Sequence, residues 1–263
     1  MNILSKQNKS ILREMVSTDF KIRYQGSLLG YAWSLLKPLF LFLILYIVFT
    51  KFLKIGSDIP HYPVYLLLGV ILWNFFTDAT STAMTSIVSR GDLIKKINIP
   101  KYLVVISTVI SAFINLCLNF IVLIVLCAIN HLPFSLTWLL VPVLLLELLF
   151  VVLSLGFLLS TVYVRFKDAS YIWEVVLQGA FYATPILYPL SLVPRRIQEV
   201  LILNPVAQII QDARWCIVSH DSITFWSLTQ RLFWPVPIAM IIIFSAFSIQ
   251  YFKAKAKYFA EDI

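Results

Sequence analysis

Long apolar runs separated by short polar stretches dominate this chain. A helix needs about 20 mostly apolar residues to cross a hydrocarbon core about 30 Å thick. Six runs meet or approach that length, over residues 33–53, 62–88, 102–129, 136–163, 171–188 and 233–252. Pro38 falls early in the first, where a proline's missing N–H does little harm. The second changes character midway, with Asn74, Thr77, Asp78, Thr80, Ser81 and Thr82 in its later half. The fifth is the shortest.

Two further segments carry a different pattern. Residues 3–22 place Leu4, Ile11, Leu12, Met15, Val16 and Phe20 near helical spacing, with Lys6, Lys9, Arg13 and Lys21 among them. That predicts an amphipathic helix in the membrane interface, its basic side toward anionic headgroups. Residues 189–232 hold Pro189, Pro194 and Pro205 between apolar stretches at 200–203 and 206–210, too apolar for a solvated loop. They predict two short helices at the outer face, broken near Asn204–Pro205, because the residue before proline is pushed out of the helical region.

Composition agrees with a membrane protein. The chain is 60% hydrophobic and 13% charged, with mean hydropathy +0.88. Soluble domains carry about 25% charge and disordered chains carry more, so both classes are excluded. The net charge of +8 needs no nucleic acid. With both termini cytoplasmic, fifteen Lys and Arg fall inside: Lys6, Lys9, Arg13, Lys21, Arg23, Lys37, Arg90, Lys95, Lys96, Lys101, Arg165, Lys167, Lys253, Lys255 and Lys257. Six fall outside: Lys51, Lys54, Arg195, Arg196, Arg214 and Arg231. Positive residues mark the cytoplasmic side, so this bias predicts the topology. The expected fold is an all-α polytopic membrane protein. It has six transmembrane helices, an N-terminal cytoplasmic interface helix and short external re-entrant or gate helices between the fifth and sixth spans. Residues 1–32 form the interface helix and gate segment, 33–252 the transmembrane domain and 253–263 a cytoplasmic tail. A charged, discontinuous start predicts no cleaved leader.

Several chemistries lack their motifs. There is no phosphate-binding G-x-x-x-x-G-K-[ST], no G-x-S-x-G and no H-E-x-x-H. Cys117, Cys127 and Cys216 form no C-x-x-C pair, and His61, His131 and His220 lie far apart, so no metal site is expected. Asp78, Glu147 and Glu174 lie in or near spans, where an ionisable group is costly unless it meets a partner or water. Asp78 stands out, because Thr77, Ser81 and Thr85 share its helix face. Most aromatics fit interfacial belts. Tyr163, Tyr171, Trp173, Tyr182 and Tyr188 cluster around the fifth run, and rings with polar tips suit stacking against sugars.

The stretch from Lys21 to Trp33, followed by Pro38, resembles the K-x-R-Y-x-x-S-x-L-G-x-x-W…P signature of permease subunits of ABC-2-type polysaccharide exporters. Those proteins export O-antigen, capsule, teichoic acid or rhamnose-rich wall polysaccharide. Further similar blocks follow in order: Leu93 to Lys101, Arg165-Phe166-Lys167-Asp168, Thr184 to Pro189, and Leu203-Asn204-Pro205 with Arg214. Ile99-Pro100-Lys101 replaces a common Phe-Pro-Arg, and Lys167 interrupts an Arg-Asp pair.

The resemblance implies a homodimer in the bacterial plasma membrane with two copies of a separate ATPase subunit. ATP and Mg would sit on that subunit and no cofactor on this chain. Asp92, Leu93, Ile94, Lys95, Lys96 and Ile97 would form a coupling helix against it. Lys21, Arg23, Tyr24 and Lys37 would meet the pyrophosphate of a lipid-linked glycan, and Thr184, Pro185, Asn204, Pro205 and Arg214 would belong to an external gate. An exporter of small hydrophobic molecules would share this architecture, and a membrane assembly protein remains the non-transport alternative.

Overall fold

A computed structural model describes residues 5–24, 30–54, 59–97, 99–228 and 236–259. Among them every regular element is helical: α1 (Lys6–Tyr24), α2 (Trp33–Ile47), α3 (Tyr62–Ser89), α4 (Gly91–Lys96), α5 (Lys101–Ile129), α6 (Val141–Arg165), α7 (Ala169–Ala183), α8 (Arg195–Leu201), α9 (Pro205–Ile217), α10 (Phe225–Leu228) and α11 (Val236–Lys255). A π-helical stretch, Val48–Phe52, extends α2, and a 3-10 turn, Leu136–Leu140, leads into α6.

Five helices are long and apolar enough to cross a membrane: Trp33–Phe52, Tyr62–Ser89, Lys101–Ile129, Leu136–Arg165 and Val236–Lys255. The start predicted for the last, at 233, lies outside the described residues. The predicted fifth run becomes α7, whose 15 residues cover about 22 Å at 1.5 Å per residue. It stops where Thr184 turns extended ahead of Pro185.

α3 is the axis of the bundle. It packs against α2, α5, α6, α7 and α9 and is buried along most of its length. Its first half, from Tyr62 to Trp73, is apolar on every side, which suits a central helix, and polar side chains enter only from Asn74 onward. The buried Thr80 and Ser86 hydroxyls bond back to the helix's own carbonyls, Thr80 Oγ1 to Phe76 O at 2.7 Å and Ser86 Oγ to Ala83 O at 2.7 Å, so both are satisfied. α6 approaches closely at Gly156, where a Cβ would stand 3.0 Å from the Ala83 Cβ. By contrast, α2 leaves Phe40, Leu43, Ile44 and Ile47 exposed, as a lipid-facing helix does.

Pro38 is the sixth residue of α2, past its first turn. A proline there has no N–H for the carbonyl four residues earlier. That carbonyl belongs to Ser34, and it accepts instead from Asn119 Nδ2 of α5 at 3.2 Å. The early-turn expectation is thus corrected, and the proline is tolerated because a neighbouring helix supplies the donor.

α1 forms as predicted. Ile11, Leu12 and Met15 pack on the core, while Lys6, Lys9, Arg13 and Lys21 face outward. The two short helices predicted within 189–232 appear as α8 and α9, and their break falls at Asn204–Pro205. Asn204 Oδ1 caps α9 by accepting from Val206 N at 3.0 Å.

Candidate functional site

A cavity of about 710 Å3 opens between α2, α3 and α5. Trp33, Ser34 and Lys37 line it from α2; Asn74, Thr77, Asp78, Ser81 and Thr82 from α3; Asn115 and Asn119 from α5. Thr77 and Thr82 donate to carbonyls of their own helix, to Asn74 O at 3.1 Å and Asp78 O at 2.7 Å, which leaves hydroxyl lone pairs toward the cavity. A cation, a carboxylate and a ring of amides and hydroxyls therefore meet within an otherwise apolar bundle. Asp78 and Lys37 were named from the sequence for different roles, and they share one chamber. Of the predicted polar face, Thr77, Asp78 and Ser81 reach it and Thr85 does not. Asn74 was noted only as part of the polar half of the second run, and Asn115 and Asn119 were missed. Their signal was the spacing: Asn74 with Asp78, and Asn115 with Asn119, each one helical turn apart in an apolar run.

At one end of α3, Arg214 of α9 is wholly buried. Nη1 donates to the Tyr65 hydroxyl at 2.7 Å and to the Pro185 carbonyl, and Nη2 donates to the Ile186 carbonyl at 2.7 Å. The guanidinium lies 3.4 Å from the centre of the Tyr65 ring. Gly69 makes room, since a Cβ there would sit 2.7 Å from Nη2. Burial lowers the Arg214 pKa, with Tyr65 and Tyr62 acting the other way. Thr184, Pro185 and Arg214 are thus one unit that ties the bend after α7 to α3, while Asn204 and Pro205 serve as the start of α9.

Beside it lies a cluster that sequence reading missed. Gln208 Nε2 donates to Asp212 Oδ2 at 3.1 Å and also engages Glu147 of α6. Asp212 Oδ1, Glu147 Oε1 and Gln208 Oε1 are buried with no hydrogen-bond partner among the described residues. Burial pushes Asp212 up to about 7; Glu147 adds to this, while the Gln208 and Phe225 hydrogen bonds offset part of it.

At the opposite end of α3, α4 carries the predicted coupling residues. Asp92, Lys95, Lys96 and Ile97 face outward, Leu93 is half-buried and Ile94 turns into the core, so Ile94 anchors the helix. Arg90 links α4 to its surroundings through an ion pair with Asp19 of α1 and a bond to Ser107 Oγ of α5 at 2.9 Å. Lys21 is exposed in the last turns of α1. Arg23 and Tyr24 end that helix, but their side chains, with the motif residues Gln25 to Leu29 and Asn98, lie outside the described residues.

The five aromatics around the fifth run do not gather in one tract within the protomer. Trp173 turns inward, its Nε1 donating to Thr80 Oγ1 at 3.2 Å. Tyr163 lies under the Lys167 ammonium, and Tyr188 folds back to the Tyr182 and Ala183 carbonyls at the far end. Tyr171 and Tyr182, 72% and 69% exposed, stand on the open side of α7. Asp78 is two residues from Thr80, about 200° around α3, and so points away from α7. Among the described residues no group of His, Cys, Asp and Glu is placed to hold a metal.

A helical bundle built for the bilayer, with a polar chamber inside it and no nucleotide motif in its sequence, defines a multi-pass membrane protein of transporter type. Residues 12–218 match the ABC-2 type transporter family, and the chain belongs to that family of membrane proteins. It is similar to the O-antigen export system permease protein RfbA of Myxococcus xanthus, at 28% identity over 265 residues, covering 98% of this chain and 96% of the relative. An RfbA of Klebsiella pneumoniae is 26% identical over 219 residues, 81% of this chain and 84% of its own length. The polysialic acid transport protein KpsM of Escherichia coli is 22% identical over 208 residues, 76% and 78% of the two chains.

Proposed function

We propose that this chain is the transmembrane subunit of an ATP-driven exporter that passes a lipid-linked polysaccharide outward across the bacterial plasma membrane. The observation that carries the reading is the chamber between α2, α3 and α5, where Lys37 faces a polar wall containing Asp78. A cation at headgroup level suits a pyrophosphate, and amides and hydroxyls suit sugar oxygens. Small hydrophobic cargo would have no use for such a lining. The names of the relatives, permeases for O-antigen and a polysialic acid transport protein, support the same cargo class.

In this reading two copies assemble with two ATPase subunits that bind ATP and Mg, while this chain binds no cofactor. Both termini are cytoplasmic, and α7 with the bend to Tyr188 makes the sixth crossing. Residues 1–32 act as interface helix and gate segment, 33–252 as the transport domain and 253–263 as a tail. Lys21, Arg23 and Tyr24 guide the lipid pyrophosphate toward Lys37, with Asp92, Leu93, Lys95, Lys96 and Ile97 meeting the ATPase. The bend at Thr184–Pro185, held by Arg214, and the α9 start at Asn204–Pro205 close the outer mouth. ATP closure of the partner pair moves α4, and through Arg90 and Asp19 it moves α1 with it.

The test is export in a strain complemented with Lys37→Gln or Asp78→Asn. Each change should cut surface polysaccharide by about tenfold, the value of one charged contact of about 1.4 kcal/mol. Lipid-linked polymer should accumulate inside, with the ATPase subunit still co-purifying. Full export by both variants would sink the cargo assignment.

A further inference from the structure

The C-terminal ends of α6 and α11 converge on a second cavity of about 300 Å3, lined by Thr161, Arg165, Tyr251, Lys255, Tyr258 and Phe259 among others. The two helices are fastened together by the Ser154 and Ser245 hydroxyls, 2.6 Å apart, and by Phe157 edge-on to Phe252, with ring centres 4.9 Å apart. Beyond α11 the chain turns back. Ala256 N donates to Phe252 O at 2.8 Å, and Tyr258 N donates to Lys255 O at 3.0 Å. Lys101 donates to the Ala256 carbonyl and lies 5.8 Å over the Phe259 ring. Phe259 is buried edge-on to Phe252. The wall carrying Tyr258 and Phe259 is therefore held in place from three sides.

Arg165 and Lys255 are exposed at this pocket, and among the described residues no carboxylate pairs with either. Arg165 rests against the Phe166 ring, at 5.7 Å. The negative ends of two helices offset part of their charge. Even so, cations prevail at this end of the bundle: Lys95, Lys96, Lys101, Lys167, Lys253 and Lys257 belong to it, with Glu14, Asp19, Asp92 and Asp168 as the acids in its described part, and Asp19 is already paired with Arg90. The Tyr251 and Tyr258 hydroxyls add neutral donors. An apolar stripe leads from the pocket along α11. Phe247 stacks on Tyr251, with ring centres 6.2 Å apart and planes at 12°, and Ile243 continues the line one turn further on. Ile243 and Phe247 are both exposed. Two cations at the mouth and an apolar track running toward the bilayer interior match a phospholipid. A soluble phosphate would use only the first of these features.

We propose that this pocket binds the phosphodiester headgroup of an anionic membrane lipid, with Arg165 and Lys255 as its cations and the acyl chains along Ile243 and Phe247. The site rests on the export reading only for which leaflet it faces, and its test requires neither transport nor ATPase activity. The full-length chain is reconstituted in phosphatidylcholine nanodiscs doped with phosphatidylglycerol, and the lipid it retains is counted by native mass spectrometry. The wild type should keep phosphatidylglycerol, and R165Q/K255Q should keep about tenfold less, since each cation near a headgroup is worth a several-fold factor. R165K/K255R should behave as wild type. R195Q/R196Q, on α8, should also leave retention unchanged. If the double change unfolds the protein, K255Q alone is read, with about a threefold loss expected from one exposed cation. Equal retention by R165Q/K255Q and wild type overturns the proposal, as does displacement of the lipid by inorganic phosphate, which would mark a soluble ligand.

Discussion

Asp212 sits 1% exposed in a cluster that offers it one amide, one backbone N–H and a second carboxyl, with no cation among the described residues. Its native pKa of about 7 lies above the ordinary 3.8. Between those values the folded protein holds a proton that the unfolded chain releases, so protonation favours the fold. That contribution is complete below about pH 4 and disappears as pH rises through 7. Three units correspond to about 4 kcal/mol at 1.36 kcal/mol per unit. The wild type should therefore lose thermal stability between pH 5 and pH 8. Asp212→Asn, which never ionises, should lose much less. Unfolding midpoints in detergent at the two pH values check this, and equal slopes would contradict it. Asp212 is inconspicuous in the sequence, whereas Glu147 is not. Glu147 lies in an apolar run where a charge stands out. Asp212 sits among Gln208, Gln211 and Arg214, where one more polar residue is inconspicuous.

At the scale of elements, the joint between α2 and α5 rests on Pro38, which leaves the Ser34 carbonyl to the Asn119 side chain. Asn119→Leu should cost about 1–2 kcal/mol, the value of a buried carbonyl losing its donor. In a Pro38→Ala background, where the helix supplies its own donor, the same change should cost less. A double-mutant cycle on unfolding free energies measures the difference, and additive costs would show that the two residues act separately. Much of the element plan was legible beforehand. The long spans, the amphipathic α1 and the break at Asn204–Pro205 follow from period, proline and charge, while the short α4 was implied by the family resemblance. The grouping of side chains across helices was not legible. Proximity around the fifth run joined Trp173 to Tyr171, yet the helical repeat of α7 sends one inward to Thr80 and the other outward. The Arg90–Asp19 pair joins residues 71 positions apart, a distance that no local pattern spans.

For the whole molecule, α7 poses the decisive question. It buries none of its residues in the protomer, and among the described residues no other part of the chain lies within 4 Å of where a Gly179 Cβ would stand. Exposed Tyr171, Val175 and Tyr182 are unremarkable beside lipid, but Glu174 and Gln178 are exposed on the same helix, one turn apart. A carboxylate and an amide in hydrocarbon carry a cost of several kcal/mol, so this side of α7 faces water or a second copy. The proposed homodimer satisfies both, since two such faces would enclose a path lined by Tyr171, Gln178 and Tyr182. Gln178→Cys in a Cys117→Ser background should crosslink two copies with a short bifunctional thiol reagent. It should also react with a water-soluble maleimide. Ile243→Cys, on the exposed apolar side of α11, should do neither. Cys127 and Cys216 are buried and give little background. If Gln178→Cys stays as silent as Ile243→Cys, then α7 faces lipid and the path between copies must be sought elsewhere.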